Sequence, residues 1–326
     1  MSTYKKIRGT TVQNNAGNLP SAVDGQLWYD STNAVFKHQY PNVTAAGAWA
    51  TGNNMNTVRR TLAGVGIQTA ALGIGGQSPN FANVESYDGT SWTEVNDLNT
   101  ARNANTAAGT QTSALTFGGE PVTSATESWN GTCWSTVNGL TTARKLAGGA
   151  GEDNTSALAF GGFVSANPGV ANTENWNGTS WTEVNDLNDA RYGLGGAGKL
   201  SASALAFGGG FPPFKATTES WNGTCWSEVN DLNSGRNYLA GAGTQTSAIA
   251  FGGANPSVTA VTETWNGTSW TEDTDLNTAR YQLGNAGANN ASALAFGGED
   301  APAGDTAATE EWTGAGAPLI QTFTDS

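Results

Sequence analysis

The chain has 326 residues, of which only 13 % are charged, and its formal net charge at pH 7 is −13. Clustered Lys and Arg are needed to bind phosphate backbones, so we expect no nucleic-acid partner. The start MSTYKKIRGT has no apolar signal-peptide core, and no apolar run reaches about 18 residues, so we expect a soluble protein without membrane insertion. The 44 Gly and 12 Trp together indicate many short strands joined by tight turns.

Residues 1–46 do not share the repeat of the remaining chain, and their clearest feature is the stretch GQLWYDSTNAVFK from Gly25 to Lys37. Two apolar-rich runs flank the turn-forming residues Asp30 to Asn33, which predicts a small β-hairpin after an extended polar arm. An isolated hairpin is marginally stable, so it should pack on the repeats or on other copies of the chain; we expect a homo-oligomer. The candidate docking residues are Leu27, Trp28, Tyr29 and Phe36.

The pattern G-x-L-W-Y-D-S-T-N-x-x-F-K resembles a hairpin often found in tail-fibre, neck and other virion proteins of bacteriophages. The resemblance covers about 13 residues. It implies that residues 1–46 bind other virion proteins, and that the chain is assembled in the host cytoplasm and located on the virion. An ordinary amphipathic hairpin that caps the neighbouring domain would show the same pattern.

Paired glycines end a small-residue strand six times, at intervals of 43 to 47 residues, a period typical of β-propellers and solenoids. Each unit contains four strand-like runs, and Asp-Gly or Asn-Gly between the last two predicts a hairpin because these residues tolerate positive φ. First strands rich in glycine suit backbones that converge on one axis. The pairs are Gly75-Gly76, Gly118-Gly119, Gly161-Gly162, Gly208-Gly209, Gly252-Gly253 and Gly297-Gly298.

The two ends of the repeat region are incomplete, and together they predict how the ring closes. No partner Trp follows Trp312, while Trp49 stands alone before the first complete unit. The interval from Trp49 to the first glycine pair equals the interval from Trp92 to the second. We therefore predict that the strand around Trp49 completes the last of six blades, which leaves no exposed sheet edge. The propeller would span residues 47–316, with a C-terminal tail at 317–326.

The repeat resembles the kelch motif: paired glycines after a hydrophobic strand, an aromatic residue, a Trp, and Met or Leu followed four residues later by Arg. The resemblance covers residues 47–316 and implies an all-β, six-bladed kelch-like β-propeller. In kelch propellers the loops near the Arg help to line the face around the central channel. The residue after each Arg varies, as a ligand-facing rim or any solvent-exposed position would. These rim candidates are Arg60, Asn103, Lys145, Tyr192, Asn237 and Tyr281.

One arginine and one glutamate recur at fixed positions in every unit, which predicts six structural ion pairs because a guanidinium fork matches a carboxylate. The alternative, an arginine cluster for anionic sugars, would require some of these arginines to be unpaired. The arginines are Arg59, Arg102, Arg144, Arg191, Arg236 and Arg280. The glutamates are Glu85, Glu127, Glu174, Glu219, Glu263 and Glu310.

Other chemistry has little support in the sequence. The single histidine, His38, lies outside the repeats, so a kelch-type copper centre is not expected. Loop acids could attract Ca²⁺, although such acids are usually solvated, and we expect no metal and no cofactor. Cys133 and Cys225 occupy equivalent positions in different repeats and should be free thiols. No nucleophile elbow, phosphate loop or zinc spacing is present, so we do not expect an enzyme. The loop acids are Asp97, Asp186, Asp231 and Asp275.

The sequence favours a bacteriophage virion structural protein, a tail fibre or a head or tail decoration, that presents a propeller for host-surface adhesion. Its expected partners are other virion proteins, through residues 1–46, and a host surface glycan or protein. The alternative is a cellular kelch interaction or carbohydrate-binding module. An epimerase or lyase of kelch type is a third hypothesis.

Overall fold

The structure is a computed structural model that describes residues 13–15, 26–32, 34–40, 46–77, 80–165, 169–315 and 319–323. These residues form β-strands and turns, and no helix that could span a membrane occurs among them. The chain divides into two compact units. One, the terminal unit, comprises Met1–Gly47 and Gly314–Ser326, and the other, the propeller, comprises Ala48–Thr313.

The terminal unit contains one four-stranded sheet, in which the predicted hairpin is present. Leu27–Asp30 pairs antiparallel with Val35–Tyr40, and Gln13–Asn15 pairs parallel with Leu27–Asp30. The fourth strand, Leu319–Phe323, lies in the segment that the sequence predicts as a C-terminal tail, and it pairs antiparallel with Val35–Tyr40. The sheet is therefore built from both ends of the chain.

The propeller contains six four-stranded antiparallel sheets, so the fold is the all-β, six-bladed β-propeller that the repeats predict. Blades 1 and 2 are Ala63–Ile67, Ala70–Ile74, Val84–Tyr87 and Trp92–Val95, then Thr106–Gly109, Ala114–Phe117, Thr126–Trp129 and Trp134–Val137. Blades 3 and 4 are Gly148–Asp153, Ser156–Phe160, Thr173–Trp176 and Trp181–Val184, then Gly195–Leu200, Ser203–Phe207, Thr218–Trp221 and Trp226–Val229.

Blades 5 and 6 each carry an additional two-stranded ribbon after the glycine pair. Blade 5 is Ala240–Thr244, Ser247–Phe251, Thr262–Trp265 and Trp270–Asp273, with the ribbon Ala254–Asn255 and Ser257–Val258. Blade 6 is Gly284–Asn289, Ser292–Phe296, Thr309–Thr313 and Ala48–Gly52, with the ribbon Glu299–Asp300 and Gly304–Asp305.

Blade 6 closes the ring as the incomplete repeats predict. Its outer strand Ala48–Gly52 comes from the N-terminal side and pairs antiparallel with Thr309–Thr313, with Trp49 opposite Trp312. The first strands of successive blades contact one another around the axis, and the first strand of blade 6 contacts that of blade 1. At this junction a Cβ atom on Gly64 would lie 2.2 Å from the carbonyl oxygen of Asn285, so the close backbone approach itself requires glycine.

The outer hairpins turn at Asp-Gly and Asn-Gly, but in a different conformation from the one the sequence favours. In blade 1 the loop joins paired Tyr87 and Trp92, and only Gly89 has positive φ, +91°. The Asp88 carboxylate accepts hydrogen bonds from the backbone N–H groups of Thr90 and Ser91, at 2.8 and 2.7 Å. The acid or amide side chain thus closes a four-residue loop, and this is why Asp or Asn precedes the glycine.

Tryptophans of the outer strands connect each blade to the preceding one. The indole of Trp181 in blade 3 packs against Phe117 in blade 2, with ring centroids 4.8 Å apart, and its Nε1–H donates to Thr126 Oγ1 at 3.1 Å. Equivalent indole-to-threonine bonds join the other neighbours, with one exception. Trp134 Nε1 is buried without a hydrogen-bond partner, because Val84 occupies the position of the threonine.

Val84→Thr should therefore stabilise the fold by about 1 kcal/mol, because the new hydroxyl would accept the orphaned Trp134 N–H. The change in the free energy of unfolding can be measured by urea denaturation. Val65→Thr, at another buried valine of the same cluster, is the control. It should cost about 1–3 kcal/mol because its hydroxyl gains no such donor. Equal destabilisation by both substitutions would contradict the assignment.

Candidate functional site

Each recurring arginine lies in the crossover that leads from one blade to the next. In the crossover to blade 1, Arg59 donates to the carbonyl oxygen of Asn83 at 2.7 Å and to that of Gly73 at 3.3 Å. Its Nη2 also lies 3.1 Å from Glu85 Oε1. The other oxygen, Glu85 Oε2, accepts from the backbone N–H of Asn56 at 2.7 Å. The pair therefore fixes both the crossover loop and the blade that follows.

All six arginines form buried ion pairs with the six glutamates, so the unpaired cations that an arginine cluster would need are absent from this set. Burial lowers the pKa of the Arg191 guanidinium, although the Glu219 carboxylate opposes the shift. The pairs are Arg59–Glu85, Arg102–Glu127, Arg144–Glu174, Arg191–Glu219, Arg236–Glu263 and Arg280–Glu310.

One end of the central channel, here called the mouth, is bounded by a closed ring of backbone hydrogen bonds. The residue two positions after each arginine donates its N–H to the carbonyl oxygen of its counterpart in a neighbouring blade, at 2.7 to 3.0 Å. The six bonds form one cycle, and every member has φ between 50° and 62°. The ring members are Thr61, Ala104, Leu146, Gly193, Tyr238 and Gln282.

This ring was not anticipated from the sequence. Positive φ usually selects glycine, yet only Gly193 among the six is glycine, so the composition gives no signal. The conformation is a strained one for Thr61, which is β-branched, and for the bulky Tyr238. Strain of this kind persists only where the surrounding structure imposes it, as the hydrogen-bond cycle does here.

The rim candidates immediately precede the ring members, and the structure places them in unequal environments. Asn103, Tyr192 and Asn237 are buried, with 5 to 6 % of their surfaces exposed, so they face protein and not solvent. Arg60, Lys145 and Tyr281 are partly exposed. The six therefore do not form one continuous exposed rim.

Five aromatic side chains do form a continuous arc beside the mouth, from blade 3 to blade 6. The ring centroid of Tyr192 lies 5.8 Å from that of Phe163, 5.0 Å from that of Phe211 and 6.2 Å from that of Tyr238. The centroids of Tyr238 and Tyr281 are 6.3 Å apart. Of this aromatic arc, the sequence singled out only Tyr192 and Tyr281. Phe163 directly follows the glycine pair of blade 3, and Phe211 lies two residues after the pair of blade 4.

The charged groups near the arc are paired with one another. Arg60 forms ion pairs with Glu299 and, at 3.3 Å, with Asp305, and the Tyr281 hydroxyl donates to Glu299 Oε2 at 2.7 Å. Burial and this hydrogen bond raise the pKa of Tyr281 to about 12. Lys145 is paired with Glu120 and also lies over the Phe163 ring, 4.9 Å from its centroid.

Two concave spaces adjoin the aromatic arc. A cavity of about 130 Å³ occupies the mouth and is lined by the six ring members, the starts of the first strands, Asn105 and Asn285. A groove of about 510 Å³ runs along Tyr192 and the loop from Gly210 to Lys215. Tyr192, which lines the groove, and Tyr238, which lines the cavity, have ring centroids 6.2 Å apart.

A second cavity lies at the opposite end of the channel. Its volume is smaller, about 60 Å³, and it is lined mainly by glycine and alanine. Lys199 is the only charged side chain among the described residues that line it. Its ammonium group crosses the channel from blade 4 and donates to the carbonyl oxygen of Gly66 in blade 1, at 2.9 Å. Burial lowers the pKa of Lys199 to about 8.

Metal-binding groups are not gathered in the part of the chain that the structure describes: no three His, Cys, Asp or Glu side chains lie close enough to hold an ion. Three of the loop acids accept hydrogen bonds from backbone N–H groups of the third strands. These acids are Asp186, Asp231 and Asp275, with partners Thr173, Thr218 and Thr262.

Cys133 and Cys225 are free and exposed, as predicted.

In the terminal unit, the docking residues of the hairpin differ in exposure. Trp28 is fully buried, whereas 46 % of Phe36 is exposed. The Tyr29 ring packs edge-on against Phe36, with centroids 5.2 Å apart. Lys37 forms an ion pair with buried Asp30 at 2.8 Å. Among the hairpin side chains whose burial the structure describes, Phe36, which packs on Tyr29, is thus the large apolar group exposed to solvent.

Comparison with known proteins supports the fold and leaves the function open. No family model and no curated protein matches this sequence. Among solved structures, the one titled "Structure of YjhT" matches with a TM-score of 0.65 and 13 % sequence identity. The match covers 83 % of this chain and 99 % of that one. At this identity the likeness concerns the fold alone.

Glu219→Gln should destabilise the fold by about 3–5 kcal/mol, because it leaves the buried Arg191 without a counter-charge. The matched control is Asp189→Asn, which breaks the partly exposed pair with Lys215 and should cost less than about 1 kcal/mol. Urea denaturation measures both. If the two variants are equally stable, the buried pairs do not hold the crossovers as described.

Lys199→Met should remove a pH-dependent component of stability. Because the folded-state pKa of Lys199 is about 8 and the usual value is 10.5, the unfolded chain binds more protons between these pH values, and stability rises with pH there. The free energy of unfolding of the wild type should therefore rise relative to that of the variant from pH 7.5 to about pH 9.5. Parallel profiles would show that the ammonium is not desolvated.

Proposed function

We propose that this protein is a bacteriophage virion structural protein, a tail fibre or a head or tail decoration, in which the terminal unit binds the particle and the propeller is a non-catalytic binding module. The observation that carries the proposal is that segments before and after the propeller pair in one sheet of a unit of their own. Such a unit can serve attachment, and the blades can serve a different contact.

The terminal unit also supplies the chemistry for attachment. Its hairpin resembles those of phage virion proteins, and Phe36 offers an exposed apolar group on a short sheet. Burying such a side chain in a partner, whether another virion protein or a second copy of this chain, contributes about 1.5–3 kcal/mol. We therefore assign Phe36 to the contact with the particle.

For the propeller, we infer a kelch-type repeat with a binding role. The glycine pairs, the outer-strand tryptophans and the arginine after Met or Leu support the kelch assignment. The aromatic arc and the adjoining cavity support binding of a host surface glycan or protein, because binding sites are concave, mostly apolar and supplied with a few polar groups.

A cellular kelch interaction or carbohydrate-binding module is the second candidate. The same mouth favours it, since nothing about that site requires a particle. The two candidates differ in where the protein is found and in what Phe36 does.

Immunogold electron microscopy of particles purified from the producing culture tests the proposal. We expect label on the particles, and we expect Phe36→Ser to lower incorporation about tenfold or more, since tenfold corresponds to about 1.4 kcal/mol. Cys133→Ser is the matched control, because serine occupies the equivalent position in other blades, and it should be incorporated normally. Label confined to the host cytoplasm would overturn the virion assignment in favour of the cellular module.

A further inference from the structure

We propose that the mouth of the propeller binds a neutral saccharide, with one sugar ring in the cavity against Tyr238 and the next residues along the groove beside Phe211. The inference rests on the proposed role of the propeller as a binding module, and it names the ligand class. Three independent features of the mouth support it: its aromatic surfaces, its balanced charges and its rigid backbone.

The aromatic arc offers ring surfaces of the kind that suit an amphipathic ligand. Phe211 is 52 % exposed, and Tyr238 lines the cavity directly. Tyrosine combines an apolar ring with a polar hydroxyl, so it can contact a partner that has apolar and polar groups side by side. A sugar ring is such a partner, because its axial C–H groups form an apolar face and its hydroxyls surround the edge.

The charges near the arc favour a neutral ligand over an anionic one. Arg60 and Lys145 are each paired with carboxylates, as is Lys215 in the groove. An acidic sugar would have to displace one of these partners, and the protein as a whole carries a formal net charge of −13.

The size of the two spaces indicates more than one sugar residue. The cavity of about 130 Å³ is smaller than a typical small-molecule pocket, whereas the groove of about 510 Å³ lies within the usual range. The cavity therefore suits the end of a chain, and the groove suits its continuation. Gln282, beside Tyr238 in the ring, brings an amide that can both donate and accept.

The backbone of the mouth is already fixed before any ligand arrives. Six hydrogen bonds close the ring, and the non-glycine members stay in the left-handed conformation despite its cost. Glycine would adopt this conformation without strain, as at Gly193, yet Tyr238 and Gln282 carry long side chains there. These side chains reduce the stability of the fold, so we take their role to be contact with a ligand. The rigid backbone holds them in place before the ligand binds.

Binding to an array of neutral oligosaccharides, paired with sialylated and sulfated forms of the same chains, tests the inference with the full-length protein. We expect the neutral forms to bind, with further titrations giving a Kd for the best of them. Tyr238→Ala and Phe211→Ala should each raise that Kd about tenfold or more. Phe211 is 52 % exposed, so its variant should keep nearly the wild-type melting temperature. Tyr238→Ala loses the ring contacts with Tyr192 and Tyr281, so its melting temperature should fall, and the Kd is measured at a temperature where circular dichroism shows both variants folded.

Leu200→Ser is the control for this experiment, since it removes an exposed apolar side chain next to Lys199, at the opposite end of the channel, and should leave glycan binding unchanged. The inference is overturned if the wild type binds no neutral glycan at millimolar concentration, if acidic forms bind better, or if both mouth variants bind like the wild type. Tighter binding of tetramethylammonium than of any sugar would also overturn it.

The failures of the two proposals are distinguishable. A protein that is incorporated into particles but binds no neutral glycan contradicts only the saccharide inference. A protein that binds neutral glycans through Tyr238 but never occurs on particles contradicts only the virion assignment.

Discussion

The buried arginine–glutamate pair is the interaction on which the propeller depends, because it fixes the one part of each repeat that has no strand of its own. The crossover between blades contains no strand of a blade sheet, so part of its backbone needs side-chain partners. At blade 1 the Glu85 carboxylate accepts from the crossover N–H of Asn56, while the Arg59 guanidinium of the crossover donates to the carbonyl of Asn83 in the blade. Six copies of this arrangement give every blade the same position relative to its neighbour.

On that regular frame, the side chains of the mouth are free to differ. The aromatic arc is built from blades 3 to 6. Blades 1 and 2 supply no member of the arc, and their members of the hydrogen-bond ring are Thr61 and Ala104. The mouth is therefore asymmetric although its backbone has nearly sixfold symmetry. An asymmetric surface on a symmetric scaffold can hold one ligand in one orientation, which a symmetric surface could not define.

The fold could be predicted from the sequence to the level of strand pairing, because each determinant recurs six times and the two incomplete repeats around Trp49 and Trp312 complement each other. The ion pairs could be predicted for the same reason. The ring at the mouth could not, since its positive φ values come from a hydrogen-bond cycle that has no residue preference. Phe163 and Phe211 lie in loops of unequal length, and Leu319–Phe323 is a single short strand, so no repetition marked them.

The way in which blade 6 is completed has a consequence for synthesis. The ribosome makes the strand Ala48–Gly52 before any blade, but the partner of this strand, Thr309–Thr313, emerges only after the other five blades. Until then both Trp49 and one edge of the growing array stay uncovered, and such edges pair readily with other chains. Contacts this distant in sequence also form slowly. Newly made chains are thus most vulnerable to aggregation just before the ring closes, and a truncated product that ends before Thr309 would keep that vulnerability permanently.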